Sequence, residues 1–442
     1  MTVIEQILEG IERGRAMYDR VHGSLATAEI SAAGSAASLA SPDAGNELCL
    51  GDNLEYMKGL LERGYEGGFR LIYIDPPFFT RSSFNASVSV RDAAGASHKV
   101  HHLAYDDKFD RSLEYYIENM TVRLLMMRDL LADDGLMWIH LDWHSSHYIK
   151  LVLDELMGER NFVNEIIWQY KSGGSGKRHF ARKHDTILVY SKTGRYYIDV
   201  PKEKSYNRDR KPYRFRGVAE YKDEGGWYTL VNMKDVWTID MVGRTSAERT
   251  GYATQKPLEL LRRIVAASTE EGDLCGDFFC GSGSLPAAAH MLGRRWMCCD
   301  SEEMAVSMSR RRLKTAGAEF SFSRSSEGGP VSGRADIEIL GTDRLEDGRR
   351  LYRCRLADLM PDIDTGSIQL KDREYVEEAL RSDRLQFADH IMIDNSFDGS
   401  FSCRHIFDAG EREFSFVSAG NFAAVVADIF GREYEAGFFE SK

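Results

Sequence analysis

The sequence predicts an α/β protein built on a parallel sheet, carrying an inserted polar lobe and a small α+β region toward its C-terminus. Three observations support this. Short apolar runs that read as buried strands alternate with stretches of near-helical apolar spacing. The links between them are brief and rich in Asp, Gly and Pro. The rhythm breaks over 193–250 and again beyond about residue 316, where the composition turns polar.

Taken in order, Ile4, Ile7, Leu8, Ile11 and Met17 predict a helix over 3–20. Residues 24–45 are small, polar and aperiodic, which is linker composition. ELCLGDN (47–53) reads as a buried strand running into a turn. FRLIYIDPPF (69–78) repeats that shape more strongly, because two prolines forbid further ladder pairing. A helix over 112–132, read as core rather than as ligand surface, ends at Asp133-Asp134-Gly135. A strand (136–142) and a helix (145–157) follow. Alternation returns at 255–314 with a helix (257–269), a strand (274–279), a Gly-rich turn, a helix (284–292) and a strand (295–299). Short alternating strands and one charged helix near 371–381 fill 336–442. The expected units are 1–45, 46–192, 193–250, 251–315 and 336–442.

Composition narrows the function classes. Of 442 residues 43% are hydrophobic, which excludes a disordered, collagen-like or coiled-coil chain. No stretch reaches the roughly 18 apolar residues of a membrane span, and Glu5, Glu9 and Glu12 stand where a signal peptide needs an apolar run. Seven scattered cysteines without C-x-x-C spacing indicate neither zinc nor a disulfide framework. A reduced, cytoplasmic protein with no membrane contact is the expectation. The net charge of −12 hides an asymmetry: 169–216 holds 14 Lys+Arg against 4 Asp+Glu, whereas 331–442 holds 14 against 23. A basic block interleaved with aromatics is the footprint of a polyanion site. Its candidates are Lys171, Lys177, Arg178, Arg182 and Lys183, then Arg208, Arg210, Lys211, Arg214 and Arg216. The acidic C-terminal region fits dimerisation or a protein partner instead. His140, His144 and His147 cluster near one strand, but they read as structural, and no metal is expected.

Two strand ends carry chemistry. After LCGDFF comes Cys280-Gly281-Ser282-Gly283-Ser284, a glycine turn that lets a ligand lie against backbone at a helix N-terminus. The next strand ends in Asp300, 19 residues past Gly281, near the spacing at which an acidic residue meets ribose hydroxyls. Pro286 stands where a dinucleotide fingerprint has its third glycine. The other strand end is Asp75-Pro76-Pro77-Phe78. An exocyclic amine such as adenine N6 is a poor nucleophile because its lone pair is delocalised into the ring. Accepting both of its N–H groups, one on the Asp75 carboxylate and one on the Pro76 carbonyl, frees that pair for attack on a sulfonium methyl. Phe78 offers a face on which an extruded base stacks. Catalysis of this kind is positioning plus electrostatics.

These residues, with GDNLEYMKGL (51–60), MWIHLDWHSSHYIKLVLDELMG (137–158), FVNEIIWQYKSGG (162–174), HDTILVYSK (184–192) and ERTGYATQKPLELLRRI (248–264), make the chain resemble the S-adenosylmethionine-dependent DNA amino-methyltransferases. The motif order is that of the β type, similar to type III modification subunits, and the resemblance covers about 46–315. It implies a circularly permuted Rossmann-like sheet of seven strands, with 193–250 as the target-recognition region. Asp75, Pro76, Pro77 and Phe78 would activate the base. Asp277, Phe279, Gly281 and Gly283 would wrap the cofactor's methionine portion, Asp300 would take its ribose and Asp52 its adenine. Thr254, Gln255, Lys256 and Pro257 would flank the methionine carboxylate. Phe78 stands where the family has Tyr, Phe278 where it has Pro, and Ser284 where it has Thr. Asp before Pro-Pro favours adenine N6 in duplex DNA. Cytosine N4, RNA, a protein glutamine or a non-catalytic recognition subunit remain as alternatives. A homodimer and a restriction subunit are the further partners implied.

Overall fold

The computed structural model describes residues 1–28, 45–80, 83–92, 94–106, 112–171, 177–243, 245–252, 254–324, 333–363, 365–366, 368–399, 401 and 403–440. Most of the predicted linker at 24–45 therefore lies outside the described residues. Its first residues belong to α1 (Val3–Ala28), which runs past the predicted stop at 20.

Among the described residues nine strands form the central sheet: β1 (Asn46–Leu50), β2 (Phe69–Ile74), β3 (Leu131–Leu141), β4 (Phe162–Gln169), β5 (His184–Ser191), β6 (Val236–Thr238), β7 (Leu274–Asp277), β8 (Arg295–Asp300) and β9 (Phe320–Arg324). Their spatial order is β6-β4-β5-β3-β2-β7-β8-β1-β9. Only β5 runs against its neighbours, pairing antiparallel with both β3 and β4. Parallel strands covered on both faces need near-continuous apolar runs, and Leu71, Ile72, Tyr73 and Ile74 of β2 are all buried. One face packs against α1, α2 (Asn53–Glu62), α3 (Leu113–Leu130) and α4 (Ser146–Leu153). The other packs against α5 (Leu258–Ser268), α6 (Ser284–Met291) and α7 (Glu303–Thr315). Two strands exceed the seven expected. β9 recruits residues read as linker, and β6 recruits residues read as lobe, because each finds an open edge to pair with. The lobe itself is a separate three-stranded antiparallel sheet of Lys202–Tyr206, Gly226–Asn232 and Tyr221–Asp223.

The pairing of β2 with β7 positions the chemistry. Cys275 lies beside Leu71 and Gly276 beside Ile72, so two strands about 200 residues apart end at one edge. This is the point where strand order reverses, the usual ligand crevice of open α/β sheets.

The C-terminal region is built of a three-stranded and a four-stranded antiparallel sheet with α8 (Arg373–Ser382). It shares its core with a hairpin, Ser83–Arg91 and Ser97–Asp106, inserted just after the Asp75 segment. Val88, Val90 and Val100 of that hairpin are buried among Ile391, Phe422 and Val426. Gln386 bonds both the amide and the carbonyl of Arg91, and Asp372 accepts from the His101 amide at 2.9 Å. Arg310, buried on α7, reaches Glu433 at 2.5 Å, and Arg311 bridges Asp389 and Asp408. Among the described residues no helix is long and apolar enough to cross a membrane.

Candidate active site

The first seat begins where β2 meets Pro76 and Pro77. Phe79 takes a left-handed backbone (φ 60°), unusual for a bulky residue. Tyr116 on α3 holds this kink: its ring stacks on Phe79 at 5.1 Å, and its hydroxyl donates to the Pro77 carbonyl at 3.0 Å. Behind Phe78 lies His140, stacked at 6.1 Å between ring centroids with 21° between planes. One His140 ring nitrogen meets the Tyr73 hydroxyl at 3.0 Å and the other meets Asp185 at 3.1 Å. Burial pushes the Asp185 carboxyl up, but the bond and charge of His140, the Lys256 charge and the Tyr170 bond together outweigh it and leave this group below its ordinary value. Among the described residues no His, Cys, Asp or Glu cluster fits a metal, and His140 instead braces Phe78.

Asp75 Oδ2 is ion-paired with the Lys256 ammonium, which also lies 5.6 Å from the Phe78 ring centroid. Asp75 Oδ1 is buried and has no hydrogen-bond partner among the described residues.

The second seat follows β7. The Gly281 amide donates to Asp300 Oδ2 at 2.7 Å, and the Gly281 carbonyl accepts from Ser309 at 2.7 Å. Gly281 (φ 50°) faces the Tyr252 ring, where an added Cβ would stand 3.4 Å away. Gly283 (φ 72°) has a different reason to be glycine: a Cβ there would meet Ser309 Oγ at 2.8 Å. It is the close approach of α6 to α7 that excludes a side chain. Asp277 is buried and accepts from the Phe279 amide at 3.1 Å, so it shapes the turn from beneath. Burial raises its carboxyl well above the ordinary value.

Both seats open into one cavity of about 300 Å³ lined by Asp52, Asp75, Pro76, Pro77, Phe78, Tyr116, Asn119, Arg123, Tyr252, Thr254, Lys256, Phe279, Gly281, Asp300 and Glu302. Most of the sequence-predicted residues therefore meet. Four are not among its lining residues, the first being Gly283, which packs against Ser309 instead. Gln255 spends its side chain inside the 248–255 loop, accepting from the Thr250 amide at 2.8 Å and donating to the Glu248 carbonyl at 2.6 Å. Pro257 starts α5, and Asp277 sits below the turn. Asp52 lines the cavity while capping α2, with its Oδ1 taking the Leu54 amide at 2.9 Å. Arg123 bonds its other oxygen at 3.1 Å and also bonds Asn53, which in turn donates to the Phe278 carbonyl.

Sequence reasoning misses Arg123, Asn119 and Tyr116. All three lie on α3 at positions 116, 119 and 123, one helical stripe. Polar residues at that spacing, on one side of a helix whose other faces supply much of the core, are the available signal. Glu302, missed as well, has its carboxyl pushed up to about 7, by burial first and by Asp300 second. Burial likewise raises Asp300.

The cavity fits a cationic nucleoside cofactor. Its walls carry four carboxyl groups (Asp52, Asp75, Asp300, Glu302) beside two cations (Arg123, Lys256), and a bound sulfonium would favour their ionised forms. The glycine at 281 leaves backbone open on that side.

The basic candidates divide. Lys177, Arg178 and Arg182 are exposed on the β4–β5 connection, and Arg182 stacks on Trp143 at 3.8 Å. Since β5 runs antiparallel, this loop lies at the same sheet edge as Asp75. Lys183 is half-buried there, and exposed Lys171 pairs with Asp240 at 3.5 Å. Arg208, Arg210, Lys211, Arg214 and Arg216 are all exposed on the lobe, which hangs from the β6 side of the sheet.

A DNA methylase family model matches residues 69–311, more than half of the chain. The chain is 27% identical over 397 residues to the type II methyltransferase M.EcaI of Enterobacter cloacae, covering 76% of this chain and 83% of that one. It is 26% identical over 270 residues to the DNA adenine methyltransferase YhdJ of Escherichia coli (strain K12), covering 58% and 83%. A solved structure, the cytosine-N4-specific PvuII DNA methyltransferase, aligns at 15% identity with a TM-score of 0.42 over 61% of this chain and 87% of that one.

Proposed function

This chain belongs to the DNA methylase family, and on that premise we propose that it methylates N6 of an adenine flipped out of duplex DNA, using S-adenosylmethionine. When bound, the cofactor supplies an electrophilic methyl on sulfonium, and the remaining requirements fall on this chain. Asp75 accepts one N–H of the target amine and the Pro76 carbonyl the other. Phe78, braced by His140, carries the base face. Tyr116 holds the Pro77 carbonyl and so the angle of the turn. Asp300 and Asp52 take the ribose and adenine of the cofactor, with Gly281, Phe279 and Thr254 lying against it. The single observation behind this reading is that Asp75, Pro76 and Phe78 line the same cavity as Gly281, while the buried Asp75 Oδ1 has no partner among the described residues. A buried acceptor left without a donor is costly, and an amine N–H answers it.

Adenine is favoured over cytosine by the Asp that opens the Asp-Pro-Pro-Phe motif, and YhdJ, a relative over 58% of this chain, is by its name an adenine enzyme. The cations of the 171–183 loop hold the phosphate backbone at the active-site edge, and those of the lobe contribute to target reading. A second copy of the chain, a restriction nuclease and a cytoplasmic setting complete the proposal. Tritiated-methyl transfer to duplex DNA, RNA and protein side by side tests it, followed by nucleoside analysis and methylation-sensitive sequencing of the labelled DNA. N6-methyladenine at one recurrent sequence is expected. Label in N4-methylcytosine, or in RNA or protein alone, would overturn it.

A further inference from the structure

A lone exposed apolar side chain is ordinary on a protein surface, but Phe180 is set apart by where it stands. Its ring is 99% exposed. The neighbouring His179 ring folds back on the backbone, donating to the Phe180 carbonyl at 2.8 Å, rather than covering the phenyl group. Lys177 and Arg178 precede Phe180, Arg182 and Lys183 follow it, and no acidic residue occurs from 177 to 184. The ring is thus carried between two pairs of cations, each two to three residues away, at most roughly 7–10 Å along the chain.

This loop is seated at the edge that holds the base seat. The Tyr170 amide donates to the Lys183 carbonyl at 3.0 Å where the loop leaves the sheet. The Arg182 guanidinium lies over the Trp143 ring at 3.8 Å, and Trp143 stands two residues past the end of β3. On one side β3 neighbours β2, which delivers Asp75 and Phe78; on the other it neighbours β5, which the loop feeds. His140, the ring behind Phe78, is itself paired with Ile187 of β5. A single strand therefore separates the base seat from the root of the Phe180 loop.

Extruding a base leaves a gap in the stack and a partner without its pair. Cations held to phosphates on either side would bring the phenyl ring against that stack, and an apolar wedge replaces contact that the departing base gave up. A ring stacks on any base, so the role is independent of the target sequence. Resting on the function proposed above, we propose that Phe180 is the wedge that fills the place of the extruded adenine, while Phe78 receives the adenine itself. An aromatic among cations also suits an anionic lipid surface, but the edge shared with Asp75 favours the duplex.

The test reads single-turnover methyl transfer into the duplex mapped by sequencing, with the target adenine either paired or opposite an abasic site. An exposed ring can be replaced without disturbing the core. Phe180→Ala should slow transfer about tenfold or more on the paired duplex, the scale of one aromatic–base stack. Opposite the abasic site, where extrusion is already cheap, the loss should shrink to about twofold or less. Phe180→Trp, which keeps a ring, should restore the paired rate, and Phe180→Lys, which adds a cation, should not. A loop acting only through its charges would give the reverse: a Phe180→Lys protein as fast as the wild type, or a Phe180→Ala loss equal on both duplexes. Either result, or an undiminished paired rate in Phe180→Ala, would overturn the wedge. Sedimentation with phosphatidylserine vesicles that Phe180→Ala abolishes, with transfer unchanged, would assign the loop to a membrane instead. Failure of the wild-type protein to methylate any duplex would overturn the underlying function and the wedge with it, whereas wild-type transfer with indifferent variants overturns the wedge alone.

Discussion

Replacing Asp75 with Asn removes one charge and almost no volume, which makes it the sharpest probe of the base seat. Asp75 Oδ1 is buried without a partner, an arrangement worth about 1–3 kcal/mol against the resting protein. Docking an N–H there recovers that cost, and a bond to an ionised acceptor is worth roughly 1.5–3 kcal/mol net. The amide introduced by Asp75→Asn retains one carbonyl, which Lys256 competes for, and turns a donor group toward the amine. A preorganised group aimed at developing charge commonly contributes about 2.7–4 kcal/mol, so single-turnover transfer should fall by about 10²–10³-fold. Cofactor affinity should stay within roughly threefold, less than 1 kcal/mol, because in the proposed function this carboxylate serves the base rather than the nucleoside. Asp75→Ala is the poorer variant. It leaves the Lys256 ammonium, 10% exposed at its side chain, without a counter-charge, and breaking such a buried pair costs about 3–5 kcal/mol. The assay is rapid-quench transfer of tritiated methyl into duplex DNA at saturating cofactor, with calorimetry for S-adenosylhomocysteine. An Asp75→Asn protein that keeps more than a tenth of the wild-type single-turnover rate would refute the reasoning.

Three further outcomes follow from the same geometry. His140→Phe keeps a ring behind Phe78 but strips a partner from the Tyr73 hydroxyl and from Asp185. Stability in urea should drop by about 1–3 kcal/mol, with a smaller rise in KM for DNA than His140→Ala produces. The two glycines of the turn should separate. Gly283→Ala, forced against Ser309 at positive φ, should lose about 1–2 kcal/mol of stability with little change in cofactor affinity, whereas Gly281→Ala should weaken cofactor binding about tenfold, roughly 1.4 kcal/mol. Glu302, raised by burial to about 7 from 4.5, keeps a proton in the folded chain between those pH values that the unfolded chain has released. Stability should therefore fall as pH rises from about 4.5 to 7, and urea midpoints of Glu302→Gln should lack that slope.

Local chemistry alone was enough to determine the strand ends and their two motifs. Apolar runs halted by Asp-Pro-Pro or by a glycine turn terminate strands whatever the rest of the fold does, so the turns at Asp75 and Gly281 were legible from their immediate neighbours. So was the basic loop, since a run of cations next to a strand stays at the surface. Periodicity also marked α3 as core, which holds for most of its surface and misses the stripe of Tyr116, Asn119 and Arg123 facing the cavity. Tertiary structure decided everything that depends on which strands become neighbours. The lysine of the 248–257 loop meets a carboxylate 181 positions away, His140 comes to rest behind Phe78, and Gly283 is constrained by α7 rather than by a ligand. Residues 320–324 read as linker by composition because an edge strand's stability comes from the partner it pairs with, not from its own side chains. For the same reason nothing in 336–442 announced that its core would be completed by Val88, Val90 and Val100. Burial is a property of the assembled surfaces, and a side chain's own identity states only that it can be buried, not against what.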